Sequence, residues 1–361
     1  MKILFLNVDL GYGGAEKMMA WVANQMCARG LDVTFLTYRD EKAKYQKLVE
    51  KVRRQHIQLE SKGGGILDFF RTSWTLHRYI LREQFDIAIA FLSPSQIRLV
   101  QACKGTKTKV LLSHRADPYL KNHLTGIRRL ASGLMGRLFL QADAYVFQTE
   151  KAQAYYPLNI QHRSIVIPNP IQPLKRTEER KPDKRIVNVS RLEVVQKRQD
   201  LIIDAFNKIC TKYPDYTLEF YGSGPDEQYL RKKAEGNERI FFKGVTTNVV
   251  ESIQNAAFFV LASDYEGIPN ALLEAMSMGV PCVSTDCSPG GASLLIDNKE
   301  KGLVVGCGDV DELEAAMEYM ITHPGYAEEA AKKALDVNER FSENEISNKW
   351  YEFITRMTNE S

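Results

Sequence analysis

One feature constrains this chain more than any other: short apolar runs rich in β-formers alternate with longer stretches of helical period, twice over. In the first half the strand-like runs are Lys2–Val8, Leu31–Thr37, Phe85–Phe91, Lys109–Ser113 and Ala144–Gln148. The helical stretches between them are Ala15–Arg29, Ile66–Glu83 and Ile127–Gln141. Arg185–Ser190, Thr217–Tyr221, Phe258–Ala262 and Pro281–Ser284 repeat the pattern in the second half. Parallel strands need long crossovers, usually helices, so this alternation predicts α/β structure with parallel sheets covered on both faces. A chain of 361 residues exceeds one ordinary core, and two domains are expected. The boundary falls at Pro168-Asn-Pro-Ile-Gln-Pro173 and the polar run Lys175–Lys184.

The fold class expected is therefore two Rossmann-like domains, residues 1–170 and 171–340. The tail after Phe341 forms an amphipathic helix carrying Ile346, Trp350, Phe353 and Ile354 on one face. Hydrophobic residues at 44% and charged ones at 26% describe a soluble globular protein. No apolar run approaches the ~20 residues that span a bilayer. The N-terminus enters a strand too directly for a signal peptide, so a cytoplasmic setting is expected. Six cysteines show neither metal-ligand spacing nor a disulfide pattern. Charge is split: residues 1–180 hold 28 Lys and Arg against 15 Asp and Glu, and residues 181–361 hold 20 against 30. A basic first half suits an anionic partner.

Chemistry-bearing residues cluster where strands end, which is where open α/β sheets bind ligands. Leu10-Gly-Tyr-Gly-Gly-Ala-Glu16 follows the first strand and opens a helix, and its glycines allow backbone N–H groups near a diphosphate. Glu16 occupies the third glycine position of the dinucleotide fingerprint, which argues against an NAD enzyme. A tight turn would explain the loop equally well. Ser190–Asp200 carries Arg191 and Lys197; Tyr221-Gly-Ser-Gly-Pro225 ends another strand; Ser288-Pro-Gly-Gly-Ala-Ser293 opens a further helix. In Asp264-Tyr-Glu-Gly-Ile-Pro-Asn-Ala-Leu-Leu-Glu-Ala-Met-Ser-Met-Gly-Val-Pro281, Glu266 belongs on a loop and Glu274 two turns into the helix after Pro269.

Glu266–Met276 resembles the donor-site signature of the retaining glycosyltransferases of family four, of GT-B fold, and the likeness extends along nearly the whole chain. The resemblance implies two domains facing a central cleft, with the last helix crossing back to the first domain. It implies a nucleoside diphosphate sugar donor, UDP-linked, and a saccharide or polyisoprenyl-diphosphate-linked acceptor, as in bacterial surface-polysaccharide assembly. By position, Arg191 and Lys197 would neutralise the donor diphosphate, Glu266 would face sugar hydroxyls and Glu274 the ribose. Gly13 and Gly14 would lie near the phosphates, and Gly222 would shape the nucleotide pocket. Backbone groups of Gly267, Ile268, Pro269 and Asn270, with Gly290 and Gly291, would complete the donor site. His114, in Leu111-Leu-Ser-His-Arg-Ala-Asp-Pro118, falls near a family position facing the reacting sugar. Relatives often carry an acid after the Gly290-Gly291 pair, where this chain has Ser293 and Leu294.

Other readings stay open. A nucleotide-sugar epimerase of the same fold would turn over donor without acceptor, and a non-catalytic subunit would bind nucleotide weakly. A nucleic-acid-binding protein has only the basic half in its favour. No metal or cofactor is expected: Asp309-Val-Asp311 precedes a helical run and reads as an N-cap. Ile66–Glu83 and Ile127–Gln141 combine basic and apolar faces, as core-facing helices do, or as helices in peripheral contact with an anionic membrane on its cytoplasmic side.

Overall fold

Lys2–Asn7 (β1) has no polar face to turn outwards, and the computed structural model shows why: Ile3 and Phe5 enter one hydrophobic core, Leu4 and Leu6 the other. The structure describes the chain except residues 12–13, 40–46, 58–65, 116, 120–135, 172–173, 175–178 and 360–361. It divides into two compact units, Met1–Asn169 with Asn344–Ser361, and Pro170–Glu343.

The first unit holds a seven-stranded sheet made of β1, β2 (Asp32–Thr37), β3 (Arg53–His56), β4 (Ile87–Ala90), β5 (Lys109–Ser113), β6 (Ala144–Phe147) and β7 (Ser164–Val166). Their order is β3-β2-β1-β4-β5-β6-β7 and every pairing is parallel. Parallel sheets are buried on both faces, which accounts for the continuous apolar runs. Helix Gly14–Ala28 covers one face together with the C-terminal helix Glu343–Asn359, whose Ile346, Trp350, Phe353 and Ile354 enter the same core. Trp350 stacks on Phe91 at 5.6 Å, and Arg29 donates to Ser347 Oγ at 2.7 Å. Helices Ile66–Glu83 and Ser93–Cys103 cover the other face. Of the helix expected over Ile127–Gln141, residues 127–135 lie outside the described part; Gly136–Phe139 is helical.

The second unit repeats the plan with six parallel strands: β8 (Arg185–Val189), β9 (Thr217–Tyr221), β10 (Ile240–Gly244), β11 (Phe258–Leu261), β12 (Cys282–Thr285) and β13 (Leu303–Val305). Their order is β10-β9-β8-β11-β12-β13. Phe258 and Val260 face one core, Phe259 and Leu261 the other. The strand order reverses between β8 and β11, so the crevice beyond their C-terminal ends is the topological switch point. Part of the polar run taken as linker is tied to this unit: Arg180 pairs with Glu328 at 2.5 Å and donates to the Ala256 carbonyl at 2.7 Å.

Candidate active site

The carboxyl ends of β8 and β11 bring the second unit's charged loops together. After β8 the chain runs through Ser190–Glu193 into the short helix Val194–Lys197, and Arg198 then turns left-handed (φ 49°, ψ 39°) before helix Gln199–Ile209. That turn sends Lys197 towards the loop after β11. There Lys197 Nζ pairs with Glu266 Oε1, which also accepts from Ser263 Oγ at 3.0 Å. Both members are largely enclosed, with side chains 17% and 11% exposed. An enclosed pair at a switch point keeps a fixed cation and a fixed carboxylate ready for a polar ligand.

Backbone contacts hold this pair in place. Asp264 N donates to the Gln196 carbonyl at 2.9 Å, and Gln196 Nε2 returns a bond to the Tyr265 carbonyl at 3.0 Å. Glu266 N donates to the Ser288 carbonyl at 2.7 Å, and Ser288 N to that of Asp264 at 3.0 Å, linking the loops after β11 and β12. Arg198 lies between Asp200 (3.2 Å) and Asp264 (3.3 Å), and these carboxylates hold its guanidinium above the usual arginine range.

Glycine permits the closest approaches. A methyl group on Gly222 (φ 140°) would meet the Ser190 carbonyl oxygen at 2.0 Å. At Gly291 it would meet that of Gly267 at 1.9 Å. Gly290 stands left-handed (φ 86°) just before helix Gly291–Leu295. Pro269 caps helix Asn270–Ser277, so Glu274 is its fifth residue, one turn in rather than two; it is half-buried. Ile268 and Pro269 are buried and Asn270 is exposed.

Arg191 shares the loop after β8, but its side chain is 65% exposed and its Nη1 lies 3.3 Å from Glu193. In the first unit, Gly14 begins its helix with nothing within 4 Å of an added methyl group, while Gly13 lies outside the described residues. His114 follows β5 and is buried, its ring edge-on to Phe139, Tyr156 and Phe147 at 5.5, 5.8 and 6.3 Å. Next to it, Arg115 donates to Asn169 Oδ1 at 2.7 Å, as Gln148 does at 3.2 Å. Desolvation pushes the Arg115 guanidinium down to about 9. Asp309 accepts from Asp311 N and Glu312 N at 3.0 and 2.9 Å, which is the helix cap expected of it.

Ser263, Gln196, Arg198, Asp200 and Asp264 were not singled out in the sequence. Their one visible signal was the charged string Lys197-Arg198-Gln199-Asp200 at a helix break, which does not say which acid each cation meets.

Two such parallel sheets in one chain, each flanked by helices, are the architecture of the GT-B class of α/β protein. Solved structures agree on the fold. The lipopolysaccharide outer core galactosyltransferase WaaB in its apo form superposes with a TM-score of 0.81 at 18% identity, covering 99% of this chain and 100% of that one. Anabaena HepE in complex with UDP gives 0.78 at 18% identity, with the same coverages. The family described as Glycosyltransferase Family 4 matches residues 12–173, and Glycosyl transferases group 1 matches 183–323. An uncharacterized glycosyltransferase of Haemophilus influenzae is 26% identical over 97% of this chain and 98% of its own. The Campylobacter jejuni alpha-1,4-N-acetyl-D-galactosaminyltransferase that acts on a diNAcBac-PP-undecaprenol-linked glycan is 23% identical over 99% of each. The chain belongs to the family-four-like glycosyltransferases of bacterial polysaccharide type.

Proposed function

We propose that this enzyme transfers a hexose or N-acetylhexosamine, with retention at the anomeric carbon, from a UDP-sugar to a saccharide or polyisoprenyl-diphosphate-linked oligosaccharide. The carrying observation is the Lys197–Glu266 pair at the β8/β11 switch point. An arriving donor replaces part of that pair: Lys197 turns its ammonium to a phosphate oxygen and Glu266 accepts from sugar hydroxyls. Arg191, on the same loop and exposed, swings from Glu193 to the diphosphate, where its planar fork suits phosphate oxygens. Glu274 takes the ribose, and backbone groups of Gly267–Asn270, Gly290 and Gly291 line the donor. The first unit presents the acceptor, with Gly14 near the donor phosphates and His114 bonding the donor sugar or guiding the acceptor hydroxyl.

The departing UDP gains negative charge as the glycosidic bond breaks. Fixed cations stabilise it without a metal ion or cofactor, and catalysis comes from positioning and electrostatics. The acceptor hydroxyl attacks from the face the leaving group vacates and passes its proton to the leaving phosphate, so no protein nucleophile is required. The UDP complex of HepE and the undecaprenol-linked substrate named for the Campylobacter relative support the choice of donor and acceptor. A cytoplasmic setting at the inner membrane face follows from such an acceptor.

The test is UDP release coupled to chain extension, with UDP-sugars and lipid-linked acceptors in chelator. Lys197→Ala or Glu266→Ala should lower kcat by about 10²–10³. Donor conversion without acceptor would favour the epimerase, and absent turnover with weak nucleotide binding the non-catalytic subunit. Inactivation by chelator that Mn²⁺ reverses, or inversion of the anomeric proton's configuration by NMR, would overturn the respective part.

A further inference from the structure

Helix Ile66–Glu83 in the first unit turns an unusual face to solvent. Its inner side is ordinary: Leu76, Tyr79 and Ile80 enter the core. On the outer side Phe70, Trp74 and Leu81 are 61%, 62% and 49% exposed. Arg71, Arg78 and Arg82 lie among them, and with Thr75 these are the exposed positions from Phe70 onwards. The 4, 4 and 3 residue steps from Phe70 through Trp74 and Arg78 to Leu81 keep them on one stripe, about 17 Å long at the helical rise.

The stripe borders a groove of about 590 Å³ lined by Gln55, Ile57, Trp74, Arg78, Tyr79 and Arg82. Tyr79 donates to Gln55 Oε1 at 2.5 Å across its floor, and Arg82 lies over the Tyr79 ring at 5.4 Å while pairing with Glu83 at 3.1 Å. Glu83 is itself tied to Lys2 at 3.1 Å. Arg78 has no carboxylate partner among the described residues. No acid stands at an exposed position of the helix from Phe70 onwards.

We propose that this face docks the enzyme on an anionic lipid bilayer: Phe70, Trp74 and Leu81 enter the headgroup and acyl boundary, and Arg71, Arg78 and Arg82 meet lipid phosphates. Aromatic rings with a polar edge settle at that depth, and long cationic side chains reach back to the phosphate plane. A second copy of the chain is a poorer occupant, because two-fold pairing of this face sets arginines against arginines. The proposal rests on the reading that the acceptor is lipid-linked, and supplies the surface by which the enzyme reaches it.

The full chain is spun with vesicles of equal parts phosphatidylglycerol and phosphatidylcholine, and with phosphatidylcholine alone. Binding to the mixed vesicles only is expected, weakening as salt is raised, with a blue shift of Trp emission absent from Trp74→Phe. Phe70→Ser with Trp74→Ser, and separately Arg78→Gln with Arg82→Gln, should each weaken binding about tenfold or more, since each basic residue contributes about fivefold. These surface variants should keep the parent melting temperature and full transfer to a water-soluble acceptor analogue. Equal binding to neutral vesicles, no binding, unchanged binding by both variants, or a dimer that Trp74→Ser dissolves would each overturn the proposal. Vesicle binding without transfer would sink the proposed reaction and leave the docking face standing; transfer without vesicle binding does the reverse.

Discussion

Gly291 faces Gly267 so closely that one added methyl group would lie 1.9 Å from the Gly267 carbonyl oxygen. This contact packs the start of helix Gly291–Leu295 against the loop that carries Glu266. Gly291→Ala must push that loop, because its neighbour is backbone. A loss of about 1–3 kcal/mol in urea unfolding is expected, with weakened donor binding in a thermal shift assay. An alanine variant as stable as the parent would contradict the contact.

Gly14 is the counterpart, since nothing lies within 4 Å of its added methyl group. Gly14→Ala should fold with unchanged stability. If its transfer rate also stays unchanged, the glycine serves no ligand; a raised donor KM at full stability assigns it to backbone approach, as proposed.

Arg198 is left-handed without being glycine, and its side chain is clamped by Asp200 and Asp264. Arg198→Ala loses both pairs and keeps the backbone strain, whereas Arg198→Gly loses the pairs and relieves it. Glycine should therefore be the more stable of the two by about 1 kcal/mol or more. The opposite order in chemical denaturation would place the strain elsewhere.

Desolvation holds the hydroxyls of Tyr79, Tyr145 and Tyr221 up at about 12, and the Cys287 thiol likewise. The unfolded chain releases these protons nearer their ordinary values, so between those values and about pH 12 it binds fewer protons than the folded state. Stability is then full below about pH 9 and falls as pH rises, by about 2–3 kcal/mol per tyrosine at the upper end. The tyrosinate absorbance of these three at 295 nm should appear only together with unfolding, so Tyr79→Phe, Tyr145→Phe and Tyr221→Phe should each leave the absorbance of the folded protein at pH 10 unchanged; a smaller rise there in any of them would refute it.

Trp350 is wholly buried, stacked on Phe91, with the Arg115 guanidinium 5.8 Å from its ring. Trp350→Ala should cost about 3–5 kcal/mol and release the C-terminal helix to proteolysis. A smaller cost with the helix still protected would show that Ile346 and Ile354 suffice to hold it.

The central strands were legible because a strand buried on both faces is mostly apolar: Lys109–Ser113 and Thr217–Tyr221 match to the residue. Strands β3, β7, β10 and β13 were not. Arg53–His56 is wholly polar, and an edge or short strand needs only a neighbour's hydrogen bonds, which leave no mark on side-chain pattern. Likewise Arg191, Lys197, Glu266 and Glu274 were read as a set through the family resemblance together with their setting at strand ends, but their pairing was not. Lys197 meets Glu266, whereas Arg191 turns outwards to Glu193.

Composition and periodicity, then, determined by themselves that the chain forms two parallel α/β sheets and that its charged loops sit at strand termini, since apolar burial acts on every residue locally and repeats. Tertiary structure alone decided which charges meet, which glycines are crowded, and that His114 lies among aromatic rings. Those outcomes depend on the close approach of segments far apart in the chain, where a few ångströms separate an ion pair from a solvated charge.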